Sequence, residues 1–167
     1  MALLNILQFP DPRLKIVAES VKAFDAALVN LVNNMFETLY EAHGVGLAAS
    51  QVNVHQRIIV IDVSHNQKQP LCLVNPEILQ KHGTVTEEEG CLSFPSVYAK
   101  VQRAKEVEII YFDQFGKQHE LTAKGLLGIC IQHEIDHLNG ITFFDHLSQL
   151  KQQLLQKKLD KYRKRAL

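Results

Sequence analysis

Between Asp25 and Gly44 the apolar residues Leu28, Leu31, Val32, Met35, Phe36 and Leu39 recur at spacings of three and four, the repeat of one helical face. Asp25 is a suitable N-cap, and Gly44 suits the turn that ends a helix. Within residues 57–63 the pattern changes: Ile58-Ile59-Val60-Ile61 is β-branched and apolar at every position, which predicts a strand buried on both faces. Shorter strand signals follow at residues 71–74 and 77–80, on either side of Asn75-Pro76, and at 84–86 beyond Gly83. Residues 107–112 and 117–122 flank Asp113-Gln114-Phe115-Gly116, a hairpin with glycine closing its turn.

Gly125 opens a segment, Leu126-Leu127-Gly128-Ile129-Cys130-Ile131, that is apolar nearly all round and so predicts a helix buried within the fold. Asn139-Gly140 ends it, and residues 141–144 read as a short strand or extended piece. Ser148 can cap a last helix with Leu150, Leu154, Leu155, Leu159 and Tyr162 inward. At the other end, Phe9-Pro10-Asp11-Pro12 is a rigid, turn-prone start, because each proline fixes its own φ and restricts its predecessor. The elements add up to an α+β fold, mostly antiparallel β-sheets around a buried central helix, with an N-terminal and a C-terminal helix. A single domain over residues 1–167 is expected, residues 148–167 forming its basic C-terminal helix.

Composition narrows the setting. At 167 residues the chain can bury a core without disulfides, and Cys72, Cys91 and Cys130 are an odd number without a disulfide spacing, which favours a reducing, cytoplasmic environment. The 18 basic and 18 acidic residues cancel, so overall charge points to neither nucleic acid nor membrane. No basic leader and no run of membrane-spanning length is present, which predicts a soluble, unexported protein. Charge is nevertheless uneven. Beyond Ser148 stand Lys151, Lys157, Lys158, Lys161, Arg163, Lys164 and Arg165 against Asp160 alone, either a solvated helix face or a binding patch.

Candidate chemistry centres on Gln132-His133-Glu134-Ile135-Asp136-His137. On a helix, His133 and His137 lie one turn apart on one face, where both imidazoles can reach one ion, with Glu134 beside them. A third ligand is needed. The metzincin position for a third histidine is Phe143, and no glutamate follows Glu134, so the usual zinc-protease patterns fail. Cys130 shares the face, but seven residues of helix span about 10.5 Å, too far for it and His137 to hold one ion; it reads as pocket wall, and Cys72 as packing. Cys91, in Glu87-Glu88-Glu89-Gly90-Cys91-Leu92-Ser93-Phe94-Pro95, has a loop-like setting. Its acidic neighbours would weaken a lone nucleophilic thiolate, whereas a cation would deprotonate the thiol outright, so metal ligand is the better reading. Gly44-Val45-Gly46-Leu47-Ala48-Ala49-Ser50-Gln51 is either a tight turn or a backbone that approaches a ligand; lacking a third glycine, it is no dinucleotide fingerprint.

Taken together and in this order, Gly44-Val45-Gly46-Leu47-Ala48-Ala49-Ser50-Gln51, Glu89-Gly90-Cys91-Leu92-Ser93 and Gln132-His133-Glu134-Ile135-Asp136-His137 resemble the three signature motifs of peptide deformylase, and the resemblance runs over essentially the whole chain. It is to the bacterial form with a long C-terminal helix. The resemblance implies removal of the formyl group from the N-terminal formyl-methionine of new polypeptides, releasing formate. It implies that Cys91, His133 and His137 hold the metal with water in the fourth position, that Glu134 is the general base, and that the Gln51 amide and the Leu92 N–H donate to the oxyanion. The implied ion is Fe2+, with Ni2+, Co2+ or Zn2+ as substitutes. The methionine side chain would enter a pocket of Val45, the Glu89 stem, Leu126, Ile129, Cys130 and His133, while the backbones of Val45, Gly46 and Gly90 pair with the peptide. Many relatives carry arginine where this chain has Tyr98, a departure at the pocket rim. For the basic C-terminal helix the resemblance suggests docking on ribosomal RNA, with a monomeric enzyme. Two other readings are a metallopeptidase and a non-catalytic, metal-stabilised ribosome-binding protein.

Overall fold

The computed structural model describes residues 2–166. Helix α1 (Ala26–Glu41) starts where Asp25 accepts from the Leu28 N–H at 3.0 Å, and it buries Leu28, Val32, Met35, Thr38 and Leu39. At its end His43, not Gly44, takes the left-handed conformation, with φ 57°. Gly44 is constrained by space instead: a Cβ there would lie 2.8 Å from Leu92 Cδ1.

Strands β1 (Gly46–Ala48), β2 (Ile58–Ile61), β3 (Leu71–His82), β6 (Glu106–Phe112) and β7 (Gln118–Lys124) form one antiparallel sheet in the order β1-β2-β3-β6-β7. Its two faces explain the unbroken apolar run of β2. Ile58 and Val60 pack with Val32, Met35 and Leu39 of α1, while Ile59 and Ile61 pack with Ile131 and Leu138 of helix α2 (Gly125–Leu138). Full burial of each such side chain stabilises by about 1.5–3 kcal/mol. Strands β4 (Val85–Cys91) and β5 (Phe94–Arg103) form a separate two-stranded sheet. Helix α3 (Gln149–Ala166) covers β5 over a third cluster that includes Phe94, Val101, Phe143, Leu155 and Leu159.

Several expectations are corrected. Residues 71–80 are one strand, not two: Asn75 turns to φ 50° at a register shift and is held there by Val21, whose N–H it accepts at 2.8 Å and to whose carbonyl it donates at 3.0 Å. The strand at residues 84–86 runs on to Cys91, so Cys91 ends a strand rather than sitting in a loop. Strand β5 has no counterpart in the sequence reading, because Pro95 and its charged residues mask an alternation that buries Val97, Val101 and Arg103. Residues 141–144 form no strand. A 3-10 turn, Phe143–His146, stands there, with the Thr142 N–H bonded to Asp145 at 2.9 Å. On α3 only Leu155 and Leu159 are buried; Leu150, Leu154 and Tyr162 are exposed, because the helix touches the body along one narrow stripe.

Candidate active site and metal centre

Helix α2 carries His133, Glu134 and His137 into the interior, all nearly inaccessible to solvent. The end of β4 brings Cys91 to them. One donor atom from each of Cys91, His133 and His137 lies within 4.8 Å of the others, and Cys91 Sγ is 3.3 Å from His137 Nε2. Helical spacing delivers the two rings as expected, at a centroid separation of 5.1 Å. The third member arrives from far along the chain.

The ring orientation of His133 is set from behind. Its Nδ1–H donates to Glu89 Oε1 at 2.9 Å, which leaves Nε2 free for an ion. Glu89 in turn accepts two hydrogen bonds from the Arg103 fork, each 2.9 Å, and Arg103 reaches Asp136 at 2.6 Å. Burial alone would raise the Glu89 carboxyl; the hydrogen bonds from Arg103 and His133 outweigh it and hold the group at about 2. His137 Nδ1, also buried, has no hydrogen-bond partner among the described residues.

Electrostatically the two histidines differ. Burial opposes protonation of His133, yet Glu134, Cys91 and Glu89 turn its net shift well upward, while burial and the charges of His133 and Arg103 drive His137 well down. One thiol and two imidazoles whose donor atoms lie this close together suit a borderline-soft divalent metal, so the residues present fit such an ion. Burial pushes the Glu134 carboxyl up to about 7, against the pull of His133 and Arg103. Its Oε1 is buried with no hydrogen-bond partner among the described residues, and Gly46 leaves room for the other oxygen: a Cβ at Gly46 would meet Glu134 Oε2 at 2.7 Å.

Gln51 sits in a 3-10 turn after β1, fully buried. Its Oε1 accepts from the Ala48 N–H at 3.0 Å, so its NH2 must point the other way, to Ser93 Oγ at 3.1 Å and toward Cys91 Sγ at 3.6 Å. Leu92 occupies the turn between β4 and β5 next to Cys91. Val45, Gly46, Glu89, Gly90, Leu92, Tyr98, Leu126, Ile129, Cys130, Gln51 and Glu134 all border one cavity of about 1110 Å³. Val45, Tyr98 and Leu126 are exposed on it, Ile129 and Cys130 are buried, and a Cβ at Gly90 would strike the Tyr98 ring at 2.6 Å. The Val45 carbonyl already accepts from the Asp62 N–H at 2.8 Å. Cys130 stays outside the metal-binding group, as its spacing requires, and burial pushes the thiols of Cys72 and Cys130 up to about 12, consistent with packing.

Arg103 and Ser93 escaped the sequence reading. Arg103 lies in the unrecognised strand, and a buried arginine has no local signature; Ser93 was visible only as a neighbour of Cys91.

The family model described as Polypeptide deformylase matches residues 3–153. Peptide deformylase of Chromobacterium violaceum is 53% identical over 167 residues, covering 100% of both chains. The chain belongs to the peptide deformylase family. It is therefore an enzyme, a deformylase hydrolase of protein biosynthesis, with a Cys-His-His metal-binding group. Peptide deformylase of Neisseria gonorrhoeae is 49% identical, again over 100% of both chains. Among solved structures, a peptide deformylase from Legionella pneumophila superposes with a TM-score of 0.94 at 48% identity, covering 97% of this chain and 96% of that one. One from Ehrlichia chaffeensis in complex with actinonin gives 0.92 at 38% identity, covering 97% and 98%. The expected α+β architecture, with N-terminal and C-terminal helices, is the one these structures share.

Proposed function

We propose that this deformylase removes the N-formyl group from the formyl-methionine that begins new polypeptides, with Cys91, His133 and His137 holding one divalent ion, Fe2+, for which Ni2+, Co2+ or Zn2+ can substitute. The observation that carries the reading is the meeting of these three donors beside a buried carboxylate, Glu134. When bound, the ion supplies a Lewis acid and makes water a nucleophile at neutral pH.

The protein's own groups do the rest. Glu134, held near neutrality by burial, takes a proton from the attacking water and delivers it to the amine nitrogen as the C–N bond breaks, so formate and a free amine leave. The NH2 of Gln51, aimed by the Ala48 N–H, and the backbone N–H of Leu92 donate to the oxyanion of the tetrahedral intermediate; one such donor is worth about 3 kcal/mol. The methionine side chain enters between Leu126, Ile129 and Cys130. β1 ends the larger sheet, β4 belongs to the two-stranded one, and both border the cavity, so an extended peptide can add beside Gly46 and Gly90 as a strand. Tyr98 closes the rim over Gly90.

Residues 1–167 act as one domain and as a cytoplasmic monomer in this reading. Among the described residues no helix is long and apolar enough to cross a membrane. The C-terminal helix docks on ribosomal RNA through Lys151, Lys157, Lys158, Lys161, Lys164 and Arg165, which are exposed, whereas Arg163 is engaged with the Phe9 carbonyl.

The test is formate release from formyl-Met-Ala-Ser by protein prepared anaerobically with ferrous iron. Glu134→Ala should retain the ion and lose about 10²–10⁴-fold in rate. A metal-loaded parent that frees no formate, or a Glu134→Ala variant as fast as the parent, would overturn the mechanism.

A further inference from the structure

Beyond Arg103 the chain of contacts does not stop. Asp136 Oδ2 accepts from Arg103 Nη1 at 2.6 Å and from His146 Nε2 at 2.8 Å, so one oxygen joins the buried guanidinium to a side chain that reaches solvent. A second cavity, of about 440 Å³, is bordered by Arg103, Asp136, Asn139 and His146 but by none of Glu89, Cys91 or His133. Arg103 borders this second cavity and grips Glu89, which borders the candidate active site.

We propose that Asp136 and His146 are positioning residues for the ligand His133, acting through Arg103 and Glu89. The inference rests on the reading of His133 as a metal ligand. Three donors of Arg103, only 5% exposed, are divided between two carboxylates: Nε and Nη2 grip Glu89, and Nη1 grips Asp136. The plane of the guanidinium is thus defined by both, and the Glu89 oxygen that receives His133 Nδ1–H is the one also held by Nη2. If Asp136 swings away, the buried fork loses one anchor and Glu89 can rotate, loosening the hydrogen bond that keeps His133 Nε2 turned to the ion.

A separate contact points the same way. His146 ends the 3-10 turn Phe143–His146, and Phe143 at its start stacks on the His133 ring, with centroids 6.1 Å apart and planes at 27°. One short turn therefore braces His133 from two directions, against the ring face through Phe143 and behind Nδ1 through His146, Asp136, Arg103 and Glu89.

The experiment uses the full chain loaded with Co2+, reading the visible absorption of the thiolate-cobalt centre and the rate of cobalt release to a chelator, without substrate. His146→Leu removes the N–H at an exposed position, where folding is safe; His146→Gln keeps an N–H near the place of Nε2. Direct partners of metal ligands typically alter affinity about 10–100-fold, so this more remote residue should speed release about fivefold on His146→Leu, and His146→Gln should return it to within about twofold of the parent. In a Glu89→Gln background the effect of His146→Leu should vanish, since two changes along one chain of contacts do not add. The inference is overturned if His146→Leu releases cobalt at the parent's rate, if His146→Gln is as impaired as His146→Leu, or if the effect persists undiminished without Glu89. A parent that holds cobalt but frees no formate would sink the deformylase mechanism and leave this inference standing; a parent that binds no cobalt would sink both.

Discussion

Hairpins β4–β5 and β6–β7 each align seven residue pairs, but their registers differ. In β6–β7 the pairing runs unbroken from Glu106↔Lys124 to Phe112↔Gln118, whereas in β4–β5 it shifts between Gly90 and Cys91. Their turns differ in the same sense. Asp113 closes the β6–β7 turn by itself, accepting from the Phe115 N–H at 2.9 Å and the Lys117 N–H at 3.0 Å. The turn after Cys91 is held from outside, by the Phe9 N–H on the Ser93 carbonyl, Gln8 Nε2 on the Leu92 carbonyl and Gln51 Nε2 on Ser93 Oγ. Hairpin β6–β7 is specified by its own residues, unlike hairpin β4–β5. The latter is an irregular piece locked by distant segments, and it carries Glu89, Cys91 and Leu92 to the site, as expected where local regularity yields to function.

The largest contrast between the two should come from their turns. Cys91→Ala is expected to abolish ion binding and bring formate release to background, while Phe115→Ser, at the exposed tip of the other turn, leaves kcat/KM unchanged; metal content and steady-state rates of both variants check this. Gly46→Ala probes the neighbouring edge. Its Cβ would press on Glu134 Oε2, and displacing the base by about 1 Å should lower kcat about hundredfold with the ion still bound.

A difference in acid response sharpens the comparison further. Glu89 lies well below its ordinary value of 4.5, at about 2, because Arg103 and His133 bond its charged form more strongly than burial opposes it. A carboxylate depressed in the folded state contributes stability that is fully present above 4.5 and is lost as pH falls through about 2. Urea midpoints across that window should fall for the parent and be flatter for Glu89→Gln. Smallest of all is Gly116→Ala. At φ 86° and with Phe24 Cγ 3.3 Å from the added Cβ, it should cost about 1 kcal/mol or somewhat more in thermal unfolding, with activity unchanged.

The same contrast explains which parts were legible. Helix α1, the all-buried β2, the β6–β7 hairpin and the buried character of α2 were readable because their signals lie within a few residues: a cap, a period, a turn. β5 was not, since its alternation is broken by Pro95 and its buried Arg103 is stable only with two carboxylates from elsewhere. The inward face of α3 was overestimated because leucine spacing says which side is apolar, not how wide a stripe the body covers; Leu150 and Leu154 remain exposed.

By itself the sequence determined that, on a helix, His133 and His137 share one face with Glu134 beside them, because 3.6 residues per turn leaves no other arrangement. Three motifs in order supplied the family. Tertiary structure alone decided that Cys91, 46 positions from His137, comes within 3.3 Å of it, that Gln51 turns its NH2 toward them, and that Arg103 stands behind Glu89. Such meetings depend on strand register, burial and the packing of separate segments, and no local repeat encodes those.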